Sequence, residues 1–263
     1  MAAIAELADA HRRRWPDMTA MAELADGSVV LRMPLSAFSG RMDAPAKLAE
    51  RLESRGTHKL VVSITPPAWV DHDMAQRLLE FFEEEFNAEA VGAIARGIEG
   101  STVFMLTTVP NGWRPGDDTV TQEPGHAAAV APKRATIVGA LTARLDPQFG
   151  LYTSYLLTKP GSPSQTSMPQ LGTKPWQRRG IGGFLVALAS ATAEARGCPP
   201  DHYLQSAPLC QSFYYRRGFT ALAYASWPPS LRALVSDRTI IDECCAMVQR
   251  REPEVPPKGP PGT

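Results

Sequence analysis

"QRRGIGGFL", residues 177–185, is the stretch on which the reading of this chain turns. Arg178 and Arg179 stand against Gly180, and Gly182 and Gly183 follow just as an apolar run begins. Glycine costs about 1 kcal/mol relative to alanine inside a helix, so glycines at a helix start need a reason beyond helix formation. A strand, a glycine-rich turn and a helix N-terminus together make an anion site. The first helical turn exposes N–H groups without intrahelical partners, and the helix dipole adds about half a positive charge. Glycines let the backbone approach a phosphate and permit φ > 0. With the arginines adding charge, the stretch suits a diphosphate. The Arg178 and Arg179 side chains read equally as phosphate contacts or as solvated charge; the backbone N–H groups are the firmer candidates.

Outward from this stretch the pattern alternates between strands and helices. Ile181, Leu185, Leu188 and Ala189 share an apolar face of a helix over 181–196, and Gly197 follows its end. "HYLQSA" (202–207) reads as a short strand, "LCQSFYYRRG" (209–218) as a helix, and "FTALAYASW" (219–227) as the last strand. Residues 230–251 read as mostly helical, and the Pro/Gly-rich tail 251–263 as disordered. Upstream, 135–146 and 151–159 read as two strands joined by the turn "PQFG" (147–150). Residues 160–176 are an irregular link, and 110–134 a long polar segment. Strands are expected at 58–65 and 101–109. A helix carrying Met74, Leu78, Phe82 and Phe86 at four-residue spacing lies between them. Asp71 or Asp73 caps that helix, a better reading of the Asp71-His72-Asp73 cluster than a metal site, since no partner ligands are visible. Residues 1–56 form an N-terminal extension of helix (2–14), strand (27–33) and helix (44–56); the main domain spans 57–250.

Composition bounds the class. The chain has 263 residues, 44% hydrophobic and 21% charged, an ordinary globular balance. Twenty-seven basic residues offset 27 acidic ones, so no global field holds nucleic acid or an anionic membrane. Cys198, Cys210, Cys244 and Cys245 are too irregularly spaced for a disulfide scaffold or a zinc site and read as reduced thiols, consistent with a cytoplasmic protein. No apolar run approaches the ~18 residues a membrane span needs. Glu6 and Asp9 argue against an organellar leader in "MAAIAELADAHRRRWPDM".

Three diphosphate motifs compete for the opening stretch. The G-x-x-x-x-G-K-[ST] loop is absent, and the dinucleotide pattern G-x-G-x-x-G meets Leu185 where its third glycine belongs. The third pattern, Gln/Arg-x-x-Gly-x-Gly/Ala, is matched at every position by Gln177-Arg178-Arg179-Gly180-Ile181-Gly182. It is the pyrophosphate loop of the GNAT acetyltransferases. Downstream, "FYYRRGF" (Phe213–Phe219) is similar to that family's "FYxxxGF" element, after a short strand and a short helix as in the family. The chain thus resembles GNAT N-acetyltransferases over roughly residues 58–227, most specifically in its C-terminal half.

The resemblance implies an α/β GNAT-like (acyl-CoA N-acyltransferase) fold: a mixed, mostly antiparallel central sheet with a splayed strand pair, flanked by helices. It implies transfer of an acetyl group from acetyl-CoA to a primary amine by direct attack. The acceptor is a small molecule or a protein, and a homodimer is compatible. The pantetheine arm would bond to the open backbone of "LYTSYLLTK", at Leu156, Leu157 and Thr158, with a backbone N–H near Leu157 polarising the carbonyl. The diphosphate would lie on Gln177, Arg178, Arg179, Gly180, Ile181, Gly182 and Gly183. Tyr214 aligns with the family tyrosine that often protonates or hydrogen-bonds the leaving thiolate; the alternative is a packed core aromatic with its hydroxyl satisfied, and the functional role is the favoured reading. Its neighbour Tyr215 reads as structural. Ala207 stands where the family often carries Asn, and the link 160–176 is longer than usual. No glutamate lies in 135–159, and Asp146 (at a turn) and His202 (opening a strand) suit the amine's base poorly, so the base is unassigned. The N-terminal extension and the inserts keep open a second expectation, an inactive GNAT-fold component of an assembly.

Overall fold

This computed structural model describes residues 19–23, 29–33, 58–83, 91–110, 136–158, 181–235 and 244–250. The β-branched run at 58–65 is a strand, as its composition predicts, and it lies well inside a larger sheet. Strands β1 (Thr19–Glu23), β2 (Val29–Met33), β3 (His58–Thr65), β4 (Thr102–Pro110), β5 (Thr136–Asp146) and β6 (Gly150–Thr158) follow one another in antiparallel pairs. Strand β7 (His202–Ser206) then joins β6 in parallel. The described strands complete a nine-stranded sheet in the order β1-β2-β3-β4-β5-β6-β7-β9-β8, with β8 Thr220–Ala221 and β9 Cys245–Gln249. The only parallel pair among these strands falls between β6 and β7, where the chain crosses over through a helix, as parallel neighbours require.

Both sheet faces are covered, which is why the central strands read as unbroken apolar runs rather than alternating ones. In β4, Phe104 and Leu106 face the helix α3 (Ile181–Ala195), while Val103 and Met105 face α1 (His72–Glu83) and α2 (Val91–Ile98). Helix α1 buries Met74, Leu78, Phe81 and Phe82, and the Asp71 carboxylate accepts the Met74 N–H at 2.7 Å, the expected cap. Helix α3 is apolar nearly all round, as befits a helix sunk into a core. Gly139 of β5 makes room for its first turn: a Cβ there would lie 2.7 Å from Ile181 Cγ2. A third cluster, around Trp227, Tyr152, Tyr203 and Leu231, covers β6, β7 and β9 on the α1/α2 side.

The structure corrects the sequence reading in its C-terminal quarter. Only Thr220–Ala221 of the expected strand 219–227 is extended. The chain then turns through Tyr224–Ser226 to bury Trp227. Of the expected helix, α5 (Pro229–Leu234) forms, and residues 245–249 instead become β9, wedged between β7 and β8. The period-two signal was present in "CAMVQ". Cys245 and Met247 pack toward α3, whereas Ala246 and Val248 pack toward Trp227. Helix α2 and strand β1 were not anticipated. The helices expected at 2–14 and 44–56, most of 110–134, the link 160–176 and the tail lie outside the described residues.

Candidate functional site

Strands β6 and β7 begin side by side and then separate. Leu151, Tyr152 and Thr153 pair with His202, Tyr203 and Leu204, and there the ladder stops. Strand β6 continues to Thr158, and β7 continues to Ser206 on β9 alone. The change coincides with an irregularity in the β5–β6 register, where Thr142 and Ala143 pair with Tyr155 and Thr153 and so pass over Ser154. An extra residue of this kind bends a strand and increases its twist. Burial changes at the same place: Gly150–Thr153 are buried and Ser154–Thr158 half-buried. On the β7 side, the backbone donors and acceptors of this stretch have no strand to meet among the described residues.

Helix α3 starts directly over this parted half. Gly139 beneath Ile181 is the register partner of Thr158, and a Cβ on Gly182 would lie 3.7 Å from Leu156 Cδ2. Leu156 and Thr158 therefore lie beneath Ile181 and Gly182, with Gly183 next in the same turn, while the Leu157 side chain packs on the opposite face toward α1 and α2. Gln177, Arg178, Arg179 and Gly180 lie outside the described residues. Gly182 and Gly183 are in α3 itself, and neither has positive φ. Their glycine character serves close side-chain approach instead. A Cβ on Gly182 would press on Phe213 Cζ at 3.2 Å, and one on Gly183 would strike the Arg217 guanidinium.

The second motif explains itself through its turn. After α4 (Gln211–Tyr215), the Phe219 N–H reaches back to the Tyr214 carbonyl (3.2 Å) and the Gly218 N–H to that of Tyr215 (3.1 Å). This paired closure needs a left-handed residue, and Gly218 supplies it at φ 81°. The reversal brings Phe219 back against Tyr214, with ring centroids 5.5 Å apart. Tyr214 lies in the α3-side core at 7% exposure, while Tyr215 points elsewhere and faces solvent at 47%. Desolvation lifts the Tyr214 pKa well above the ordinary tyrosine value; Cys210 adds to the shift and Arg217 opposes it. Tyr214 is thus a neutral O–H donor at physiological pH.

Two residues of the site escaped the sequence reading. Arg217, an unspecified position in "FYxxxGF", stacks 3.6 Å from the Phe213 ring centroid and donates to the Phe213 carbonyl at 2.8 Å. Its guanidinium lies against Gly183, so a cation sits at the positive end of α3. Gln205, in β7 just past the last β6 pair, has a buried Nε2 with no hydrogen-bond partner among the described residues. The signal for Gln205 was a polar residue between Leu204 and Ser206 in an otherwise buried strand.

Asp146 and His202 both belong to the closed end of the strand pair. Asp146 pairs with Gly150 and accepts the Gln148 N–H at 2.7 Å, holding the β5–β6 turn. His202 is 1% exposed, with Thr153 Oγ1 2.7 Å from Nε2 and Ser190 Oγ 3.0 Å from Nδ1. Ser190 spends its own proton on the Val186 carbonyl at 3.0 Å. It therefore accepts from Nδ1–H, and Nε2 accepts from Thr153. Among the described residues no group of His, Cys, Asp and Glu could hold a metal ion, and no helix is long and apolar enough to cross a membrane.

No protein-family model and no curated protein matches the chain. Solved structures do. An acetyltransferase of the GNAT family from Staphylococcus aureus Mu50 matches 72% of this chain and 98% of its own, at 13% identity and a TM-score of 0.41. An acyl-CoA N-acyltransferase from Pseudomonas aeruginosa matches 74% of this chain and all of its own, at 17% identity and a TM-score of 0.41. An N-acetylglutamate synthase from Neisseria gonorrhoeae, complexed with coenzyme A and L-arginine, matches 73% of this chain and 34% of its own, at 12% identity and a TM-score of 0.38. Likeness at this level does not decide what the chain does. The fold class stands on the chain's own topology: a mixed, mostly antiparallel sheet, helices on both faces, and a strand pair that parts.

Proposed function

We propose that this protein is an N-acyltransferase that moves an acetyl group from acetyl-CoA to a primary amine. One observation supports this reading above the others: the parting of β6 from β7 directly under the first turn of α3. An opened strand edge offers a row of amide donors and acceptors to an extended, amide-bearing arm such as pantetheine. The positive end of α3 and the Arg217 guanidinium converge beside it, and an anion between them relieves their mutual repulsion. The residues present fit the cofactor in these respects. The fit is to backbone and to Arg217, because the spaces left by Gly182 and Gly183 are taken up by Phe213 and Arg217.

Bound acetyl-CoA supplies a thioester whose C–S bond breaks as the amine's C–N bond forms, releasing an acetamide and the coenzyme A thiol. The chain's contribution is placement and proton supply. Backbone groups between Ser154 and Thr158 would hold the arm, with an N–H near Leu157 as the candidate donor to the thioester carbonyl. Arg217 and the α3 amides would hold the diphosphate, with Gln177–Gly180 as the further ligands that the sequence motif proposes. Tyr214, kept protonated by burial, would donate toward the departing sulfur, and the proton that the amine loses on attack would restore the phenol by way of solvent. Calorimetry with acetyl-CoA and a coenzyme A release assay on a panel of amines test the reading. Binding is expected at ~100 μM cofactor. Tyr214→Phe should lower turnover on the order of a hundredfold while cofactor affinity stays within about threefold. Absence of acetyl-CoA binding at that concentration removes the proposal.

A further inference from the structure

Gln205 gives the acceptor side of the gap a chemical preference. Strand β7 pairs with β9 without a bulge, so its side chains alternate strictly between the two faces. His202 meets Ser190 of α3 on one face, and Tyr203 meets Trp227 on the other, with ring centroids 5.6 Å apart. Gln205 shares the face of Tyr203, and its partner across the ladder, Ala246, packs into the Trp227 cluster. Gln205 therefore looks out on the side opposite α3 and Tyr214. If the cofactor's diphosphate enters from the α3 side, the incoming amine has this other side to approach from.

That approach is bounded by groups already described. Across the gap, Tyr155 and Leu157 of β6 face the same side and pack against the α1/α2 cluster. The ring of Tyr155 lies 5.8 Å from that of Phe82 and against Gly97. On the β7 side stand Trp227, whose Nε1 is also buried without a partner among the described residues, and Gln205. The surroundings are apolar and aromatic, and the two unpaired groups on the β7 side, Gln205 Nε2 and Trp227 Nε1, are donors, while Thr142 Oγ1, level with Tyr155, is an unpaired hydroxyl that can donate or accept. A buried donor with no acceptor is a cost to the folded protein and needs an explanation, and a ligand oxygen supplies one.

We propose that the Gln205 carboxamide is a specificity-determining group that donates from Nε2 to an oxygen of the acceptor. The oxygen belongs to the carbon next to the amine-bearing one, on a compound with an apolar or aromatic body. The amine nitrogen must come within about 3–3.5 Å of the thioester carbon, and Gln205 begins the β7 wall of the same gap, so the oxygen it holds lies only a few bonds from the nitrogen. α-Amino carbonyl compounds and β-amino alcohols fit this description. The assignment rests on the acyltransferase reading above.

The test uses Gln205→Met, which keeps length and volume and removes the donor. With acetyl-CoA, wild type and variant are compared on phenylalaninamide, phenylalaninol and phenethylamine, the last lacking the oxygen. The preference for the oxygen-bearing amines over phenethylamine, in kcat/KM, should shrink about tenfold in the variant, the scale of one good hydrogen bond, while the KM for acetyl-CoA is unchanged. Thermal unfolding of the ligand-free protein is a second readout. Gln205→Met should melt a few degrees higher, because a buried unpaired donor has been removed. An unchanged preference, or a variant that melts lower than wild type, overturns the assignment. Failure of acetyl-CoA to bind instead removes the acyltransferase reading, and the melting comparison still reports whether Nε2 is unpaired.

Discussion

The two halves of the β6–β7 pair are built from neighbouring residues on the same strands, yet they handle polar groups in opposite ways. In the closed half, Leu151, Thr153, His202 and Leu204 are buried at 3% exposure or less. Both nitrogens of the His202 ring are bonded internally, one to Thr153 and one to Ser190. In the parted half, Ser154–Thr158 are half-buried, and among the described residues the strand edge goes unpaired and the amide nitrogen of Gln205 has no partner. Stability is concentrated where the strands meet. Binding capacity is concentrated one residue further on, where satisfied hydrogen bonds give way to unsatisfied ones. A buried polar network is favourable when every member is paired. The parted half gives up that pairing, which makes its groups available to a ligand.

Truncation tests this division most strongly. Leu204→Ala, at the last closed pair and 1% exposed, should cost about 2–5 kcal/mol of unfolding free energy in urea melts. Leu157→Ala, half-buried on the parted side, should cost less than half as much, because less apolar area leaves water there. Equal costs would mean that the parted half is as tightly packed as the closed one. A smaller effect is expected from Thr153→Val. It keeps the side-chain shape but strands His202 Nε2 without its donor, so a loss of about 1–3 kcal/mol should appear, with cofactor affinity unaltered. A neutral result would show that the closed half does not depend on its polar network.

Much of this arrangement was legible beforehand, and the reasons are local. Helix α3, the β5–β6 hairpin and the Gly218 turn depend on periodicity, turn residues and a left-handed glycine, all written in short windows of sequence. Strand β9 was missed because the helix-like charges before it masked a five-residue alternation, and because its place between β7 and β8 is set by pairing with a strand some 40 residues away. The shortness of β8 has a similar origin. Burial of Trp227 against Tyr152 and Tyr203 overrides the extended tendency of the aromatic run. At the site, the glycines marked the right helix, but their neighbours assigned them a different purpose. Gly183 admits Arg217, a contact no spacing rule announces. Gln205 could be noticed as a polar residue in an apolar strand, but the face it occupies follows only from the register with Ala246.

The central claim is that the opened edge of β6 is where acetyl-CoA lies. Hydrogen–deuterium exchange with and without acetyl-CoA tests it directly, because exchange reports protection along the backbone. The amides of Ser154–Thr158 that point away from β5, and those of the first turn of α3, should exchange quickly in the free protein and slow on adding the cofactor, while Leu151–Thr153 stay protected in both. Slow exchange at every amide of Ser154–Thr158 in the free protein, or cofactor protection that falls elsewhere, would contradict the account.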